Sequence, residues 1–403
     1  MDTFAALRHP NYRLWFGGQL VSLFGTWMQM TAQGYLVYEL THSAAYLGYV
    51  AFAAGVPSWF FTLYGGVVAD RMSRRTLIVM TQSTMMLLAL VLATLTFTGL
   101  IRAWHIVGLA LLLGIARAFD APARQAFVLE MVDRRDLTNA IALNSTMFHM
   151  ATSVGPAVAG FTYAAVGPAW CFLLNAGSYL GVITALLLMR MPRFVRRGPR
   201  RPVHTDLWEG LRYVMGRPAI RSLIILAGLT SLFGIGTYTL FPAWAVEILN
   251  GDAETLGLLQ SARGVGALVG ALGLAYVSHY RFKGRLLTLG SLLFPSALAV
   301  FAFVRWLPLS IVVLCVVGAG QILVLNLANA IVQGRVSDDL RGRVMGIYTL
   351  IFFGSMPLGG LLAGALGHWL GEPRAVLLGA LAMLACAVSV ALFQPRIRRL
   401  ESE

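Results

Sequence analysis

The sequence predicts an all-α polytopic membrane protein with twelve transmembrane helices in two related six-helix bundles, and three observations carry that prediction. Apolar runs of roughly 18 to 28 residues recur along the whole chain, and about 20 helical residues cross the hydrocarbon of a bilayer. Of the 31 Lys and Arg residues, about 26 fall in the N-terminus, the even-numbered connections and the C-terminus, while about three (Arg102, Arg305, Arg374) fall on the other side. Short words also return at one spacing. Ser22-Leu23-Phe24-Gly25 recurs as Ser231-Leu232-Phe233-Gly234, Leu47-Gly48 as Leu256-Gly257 and Gly55-Val56 as Gly264-Val265, all offset by 209 residues. Chance identities in apolar sequence would not share one offset.

Composition narrows the alternatives. With 58% apolar and 12% charged residues and a mean hydropathy of +0.73, a soluble chain would leave too much apolar surface in water. Barrel strands would alternate polar and apolar residues, and these runs do not. The net charge of +14 would suggest nucleic acid in a soluble protein, but here it marks the cytoplasmic face and the lipid it meets. Both termini are accordingly expected in the cytoplasm, with the chain in a bacterial inner membrane. Cys171, Cys315 and Cys386 lie inside apolar runs without metal-like spacing and read as buried small residues. No metal, cofactor or nucleic-acid partner is expected. The opening residues lack a cleavable signal pattern, so the first span is expected to direct insertion.

In order, the spans are expected at about Tyr12–Tyr38, Tyr46–Asp70, Thr76–Phe97, Trp104–Phe119, Leu137–Ala164 and Ala169–Met189 in residues 1–190. A seventh opens the second half, and the rest follow at about Thr255–Val277, Leu286–Val304, Leu309–Val332, Val344–Trp369 and Ala375–Phe393 within 219–403. Residues 191–218 are Arg- and Pro-rich and too long for a tight turn. Asp206 as an N-cap, with Leu207, Leu211 and Val214 on one face, predicts a short surface helix there. The stretch reads either as a linker between bundles or as a solvated loop attracting lipid headgroups. Six spans per half preserve orientation, which suits two halves related by an axis along the membrane normal.

Several residues stand out within this frame. In GGVVADRMSRR, Gly65, Gly66 and Ala69 remove bulk so that another helix can approach. Asp70 places an anion at the membrane edge, suited to a neighbouring helix N-terminus, and Arg71, Arg74 and Arg75 hold that end in the cytoplasm. At the end of span 4, Arg117, Asp120 and Arg124 share one helical face, and Asp120–Arg124 can pair locally. Arg117 and Arg263 are charges within spans, each needing a water-filled cavity, a counter-ion or backbone carbonyls. Gly155-Pro156 and Gly160 in span 5 favour a kink or close packing, and Pro357 with Gly359, Gly360 and Gly364 matches them in span 11. His149 suits either a proton carrier or an interhelical hydrogen bond. Gln29, Gln33, Gln260 and Asn326 are candidate cavity groups or helix-packing bonds. No carboxylate lies deep in a span; Glu39, Glu247 and Asp120 lie near the membrane faces.

The loop after span 2 resembles that of the major facilitator superfamily. NYRLWFGGQLVSLFGTWMQ, ADRMSRRTL, FDAPARQA, LTNAIALNS with GPAVAG, and RGRVMGIYTL resemble the branch of enterobactin exporters and transmembrane secretion effectors. The resemblance implies a monomeric secondary transporter, not an enzyme, that exports a small molecule by alternating access in exchange for protons. It further implies that Arg74 pairs with Asp120, that Asp70 caps span 11 near Gly342–Val344, and that Gly155-Pro156 accompanies export. One departure is that His149 and Thr152 stand where that branch commonly has Asn and Arg. An importer of an organic anion, which Arg117 and Arg263 would suit, is the alternative. A membrane transferase would need His or carboxylate clusters on outer loops that are too short here, and a channel has less use for a charged latch.

Overall fold

A computed structural model of the chain describes residues 4–191, 203–277 and 282–393. A short 3-10 turn, Ala5–Arg8, leads into α1 (Pro10–Thr41), and α2 (Ala44–Gly55) and α3 (Pro57–Arg71) together make the second span. Pro57 begins α3 and breaks the two apart, with the Ser58 hydroxyl donating to the Gly55 carbonyl at 2.7 Å. Then come α4 (Arg74–Phe97), α5 (Ala103–Met131), α6 (Leu137–Val166), α7 (Pro168–Leu188) and the short α8 (Val203–Met215). The seventh span is irregular: α9 (Pro218–Leu229), a π turn (Thr230–Gly234), a 3-10 stretch (Ile235–Leu240), α10 (Phe241–Ala243) and a second π turn (Trp244–Ile248). The chain closes with α11 (Ala253–Val277), α12 (Lys283–Phe301), α13 (Leu307–Arg335), α14 (Asp338–Leu370) and α15 (Glu372–Phe393).

Ten helical stretches among the described residues are long and apolar enough to cross a membrane. The two other long helices, α1 with 32 residues and α6 with 30, carry the glutamines, threonines and histidine that lower their hydropathy. At about 1.5 Å rise per residue both still exceed the hydrocarbon thickness. Backbone geometry repeats as the sequence words do. Left-handed His42 (φ 45°) and Asn250 (φ 49°) close the first and seventh spans, and Gly167 (φ 89°) and Gly371 (φ 84°) close the fifth and eleventh.

Span 4 departs from expectation. The span is expected to end at about Phe119, yet α5 continues through Pro122 to Met131. The helix can carry Asp120 because Arg124, one turn on, neutralises it at 2.6 Å. The expected helix in the connecting stretch is present as α8, but it begins at Val203, so Asp206 lies within it and is not its N-cap; Val214 is buried and Leu211 exposed, and residues 192–202 and the side chain of Leu207 lie outside the described residues.

Contacts divide the chain into two compact units, the first comprising Met1–His42, Ala53–Gly198 and Gly251–Ser261. Its core joins Tyr12 and Trp15 of α1, Ile78 of α4, Phe127 of α5, Ala140 of α6 and Leu186 of α7. Asn175 of α7 donates to Gln29 of α1 at 2.6 Å, and a Cβ at Gly25 would lie 2.5 Å from Ser178 Oγ, so α1 and α7 need this glycine to meet.

The second unit comprises Ser43–Phe52, Pro199–Asn250 and Ala262–Glu403. Val214, Leu223, Leu287, Val324, Leu327, Val344 and Ile347 form its core. α11 and α13 cross at two glycines: a Cβ at Gly266 would fall 1.9 Å from the Cys315 carbonyl oxygen, and one at Gly318 would fall 2.1 Å from that of Arg263. Gly318→Val should therefore cost at least about 1–3 kcal/mol through overpacking, whereas Gly273→Val, with open space around it, should be neutral. Thermal unfolding of the detergent-solubilised protein would compare them, and equal melting temperatures would refute the crossing.

Candidate functional site

In the first unit, α4 and α5 assemble a charged cluster. Asp120 is 1% exposed; it pairs with Arg124 and accepts hydrogen bonds from Thr81 (2.8 Å) and Gln82 (3.2 Å). The local ion pair is thus formed. Arg74 does not pair with Asp120: it sits against Glu130 at 2.5 Å and donates to the Ala126 carbonyl at 3.1 Å. The reason is the unforeseen length of α5, whose last turns bring Glu130 to the start of α4. Arg75 donates to the Leu187 carbonyl at the end of α7 at 2.9 Å, so it closes a helix terminus, and Arg71 is exposed. The Asp70 side chain, and with it the expected cap on α14, lies outside the described residues. Of the small residues before it, Gly65 permits the expected close approach, since a Cβ there would lie 2.6 Å from the Ala118 carbonyl oxygen; Gly66 faces open space.

The N-terminal end of α6 is also tied down. His9 meets Asp136 at 2.9 Å, Tyr12 donates to the Ala140 carbonyl at 2.8 Å, and the Ala6 amide donates to Asn139 at 2.9 Å. Farther along, the Gly-Pro stretch receives the first turns of α11. Pro156 offers no N–H, and the next amide, Ala157, donates to Ser261 Oγ at 3.0 Å. A Cβ at Gly160 would lie 2.5 Å from the Ala253 carbonyl oxygen, and one at Gly257 an equal 2.5 Å from that of Pro156. In the second unit α14 receives α2 in the same manner: a Cβ at Gly364 would lie 2.7 Å from the Ala44 carbonyl oxygen, and one at Gly48 would lie 3.0 Å from that of Gly360. Pro357 is buried at the start of this stretch. Gly48 and Gly257, partners in the sequence repeat, therefore make equivalent contacts.

The candidate cavity residues separate into two groups. Gln29 is buried and bonded to Asn175, and Gln260 accepts from Thr31 at 2.8 Å, so both are spent on helix packing; Gln33 is buried. Asn326 is exposed, and the half-buried His149 imidazole makes no hydrogen bond among the described residues, contrary to an interhelical role. Arg117 is half-buried and likewise has no hydrogen bond or ion pair among them. Arg263 lies over the ring of Tyr238, 4.6 Å from its centroid, and its Nε is buried without an acceptor among the described residues. At the C-terminal end of α1, Glu39 accepts from the hydroxyl of Tyr163. Glu130 escaped notice because a carboxylate beyond an apparent span end carries no periodic signal.

Two compact helical units, paired glycine crossings and arginines within spans define a polytopic membrane carrier. The chain belongs to the transmembrane secretion effector family of the major facilitator superfamily, whose model matches residues 1–403. It is 29% identical over 392 residues to the multidrug efflux pump Tap of Mycolicibacterium fortuitum, covering 94% of each chain. It is 25% identical over 365 residues to the enterobactin exporter EntS of Salmonella choleraesuis, covering 89% of this chain and 86% of that one. The nucleoside transporter NupG shares the fold, with a TM-score of 0.70 at 16% identity over 98% of this chain and 100% of the other. These are transporters and not enzymes, and the importer alternative is not favoured beside such relatives.

Asp120→Asn should destabilise the protein by about 2 kcal/mol, because it removes charge from bonds to Arg124, Thr81 and Gln82 in a buried site. Arg71→Gln, altering an exposed side chain, should change stability by under about 0.5 kcal/mol. Denaturation of the purified variants measures both, and an unaffected Asp120→Asn protein would show that the cluster contributes little.

Proposed function

We propose that this chain exports a small organic molecule from the bacterial cytoplasm by alternating access, in exchange for protons. It acts as a monomer in the inner membrane, with both termini cytoplasmic and residues 1–190 and 219–403 as the moving six-helix bundles. The full-length family match, joined by an efflux pump and a siderophore exporter among the relatives, is the observation that carries this reading.

The geometry supports a mechanism. Helices held together by backbone contact at glycines separate and rejoin without rearranging side chains. The first turns of α2 and α11 are the segments that leave α14 and α6 when the outer side opens. Asp70, Arg71, Arg74, Arg75, Asp120 and Arg124 act as the latch on the cytoplasmic side, with Glu130 holding Arg74 in the state described here. The unbonded imidazole of His149 and the carboxylates of Glu39, Glu247 and Asp120 are the groups available to carry protons. The Gly-Pro stretch of α6 keeps its helix slim enough for α11 to return.

Everted vesicles loaded by an imposed pH gradient should accumulate cargo from a panel of siderophores, drugs and metabolites, and a protonophore should abolish the uptake. Accumulation only in right-side-out vesicles would overturn the direction, and indifference to the gradient would overturn the coupling. Gly160→Leu should lower transport at least about tenfold while leaving membrane insertion intact, because the bulky side chain occupies the place of the α11 backbone. Wild-type rates in that variant would remove the docking contact from the cycle.

A further inference from the structure

We infer that the cargo bears a carboxylate, and that Arg263, stacked on Tyr238, is the group that recognises it. The inference rests on the export reading above and adds the chemical class of what is exported.

Arg263 lies ten residues into α11, about 15 Å along the helix at 1.5 Å per residue, well inside a membrane span. A guanidinium keeps its charge at every physiological pH, so burial cannot be relieved by releasing a proton. It must meet water, a counter-ion or carbonyls. None of the ion pairs among the described residues includes Arg263. Its Nε–H is buried and finds no carbonyl or side-chain acceptor there. The chain therefore gives this cation the ring and hydroxyl of Tyr238 but no carboxylate among the described residues, and leaves its Nε–H without an acceptor there.

The surroundings hold the guanidinium ready for such an acceptor. The backbone of Arg263 is pressed against Gly318 of α13, where any Cβ would clash, so the residue's own position is set by the helix crossing. Tyr238 covers one face of the guanidinium, and its hydroxyl donates to Gln321 of α13 at 3.0 Å, which fixes the ring. Gln321 is itself 6% exposed. Tyr238 comes from the 3-10 stretch of the seventh span. Backbone of that kind within a membrane belongs where protein or a cavity surrounds it. Stacking occupies the face of the guanidinium and leaves its edge, the part that engages a planar oxyanion through two parallel hydrogen bonds. A carboxylate fits that edge; a neutral ester offers weaker acceptors and no charge.

The test uses matched acids and methyl esters: carboxyfluorescein and its methyl ester, rhodamine 110 and rhodamine 123, citrate and trimethyl citrate. Binding is read as a shift in melting temperature of the full chain in detergent free of phospholipid, and transport as uptake into everted vesicles. The free acids should bind wild-type protein more tightly than their esters. Arg263→Gln should weaken acid binding about 10- to 100-fold, the range expected for charge-assisted hydrogen bonds, with ester binding changed less than about threefold. Arg263→Lys should retain part of the preference and Tyr238→Leu should reduce it, so the test survives if Arg263→Gln does not fold. Esters binding as well as acids, no acid binding at all, equal losses for both classes, or an Arg263-dependent shift given only by added phosphatidylglycerol would each overturn the assignment. If the acid preference holds while uptake occurs only in right-side-out vesicles, the export reading fails and the carboxylate assignment stands.

Discussion

The close approach of one helix backbone to another, at positions where no side chain fits, is the constraint on which this structure depends. Lipid tails are as apolar as leucine, so burying aliphatic side chains supplies little drive for helices to associate in a membrane. What remains is dense packing, and glycine supplies it by admitting main chain against main chain. Gly25 sets α1 on α7, Gly266 and Gly318 set α11 on α13, and Gly65 sets α3 on α5. The crossings of α6 with α11 and of α14 with α2 are built alike. Such contacts bury few polar groups and commit few rotamers, which suits surfaces that part and meet again in a transport cycle.

The charged residues obey a second rule. In one set each is compensated within reach: Asp120 by Arg124, Arg74 by Glu130, Arg343 by Glu209. Within the spans no ion pair among the described residues includes Arg117 or Arg263. Compensated charges hold helix ends in place at modest energetic gain. An uncompensated charge in a span is costly unless water, a counter-ion or backbone carbonyls reach it.

Much of this was legible in the sequence because hydropathy and charge sidedness act over whole segments. The repeated words Leu47-Gly48 and Leu256-Gly257 even marked the glycines that later proved to be helix crossings. Individual side chains were less legible. Gln29 and Gln260 offered the same polar groups whether they faced a cavity or another helix, and only the neighbours Asn175 and Thr31 decided between the two. The local pair of Asp120 with Arg124 could be foreseen from their spacing on one helical face, but its hydrogen bonds from Thr81 and Gln82 of α4 could not. The irregular seventh span left no trace, for Gly234 and Gly236 look like any glycines of an apolar run.

The sequence by itself determined that the chain is helical, that it spans a membrane and which words of its two halves correspond. Each of these follows from solvent preference summed over twenty or more residues, and no single neighbour can reverse it. The tertiary structure alone decided which partner each polar side chain takes: Glu130 for Arg74, Asn175 for Gln29, the ring of Tyr238 for Arg263. Those choices turn on distances of a few ångströms between helices far apart in the chain, and pairing at that scale is a property of packing.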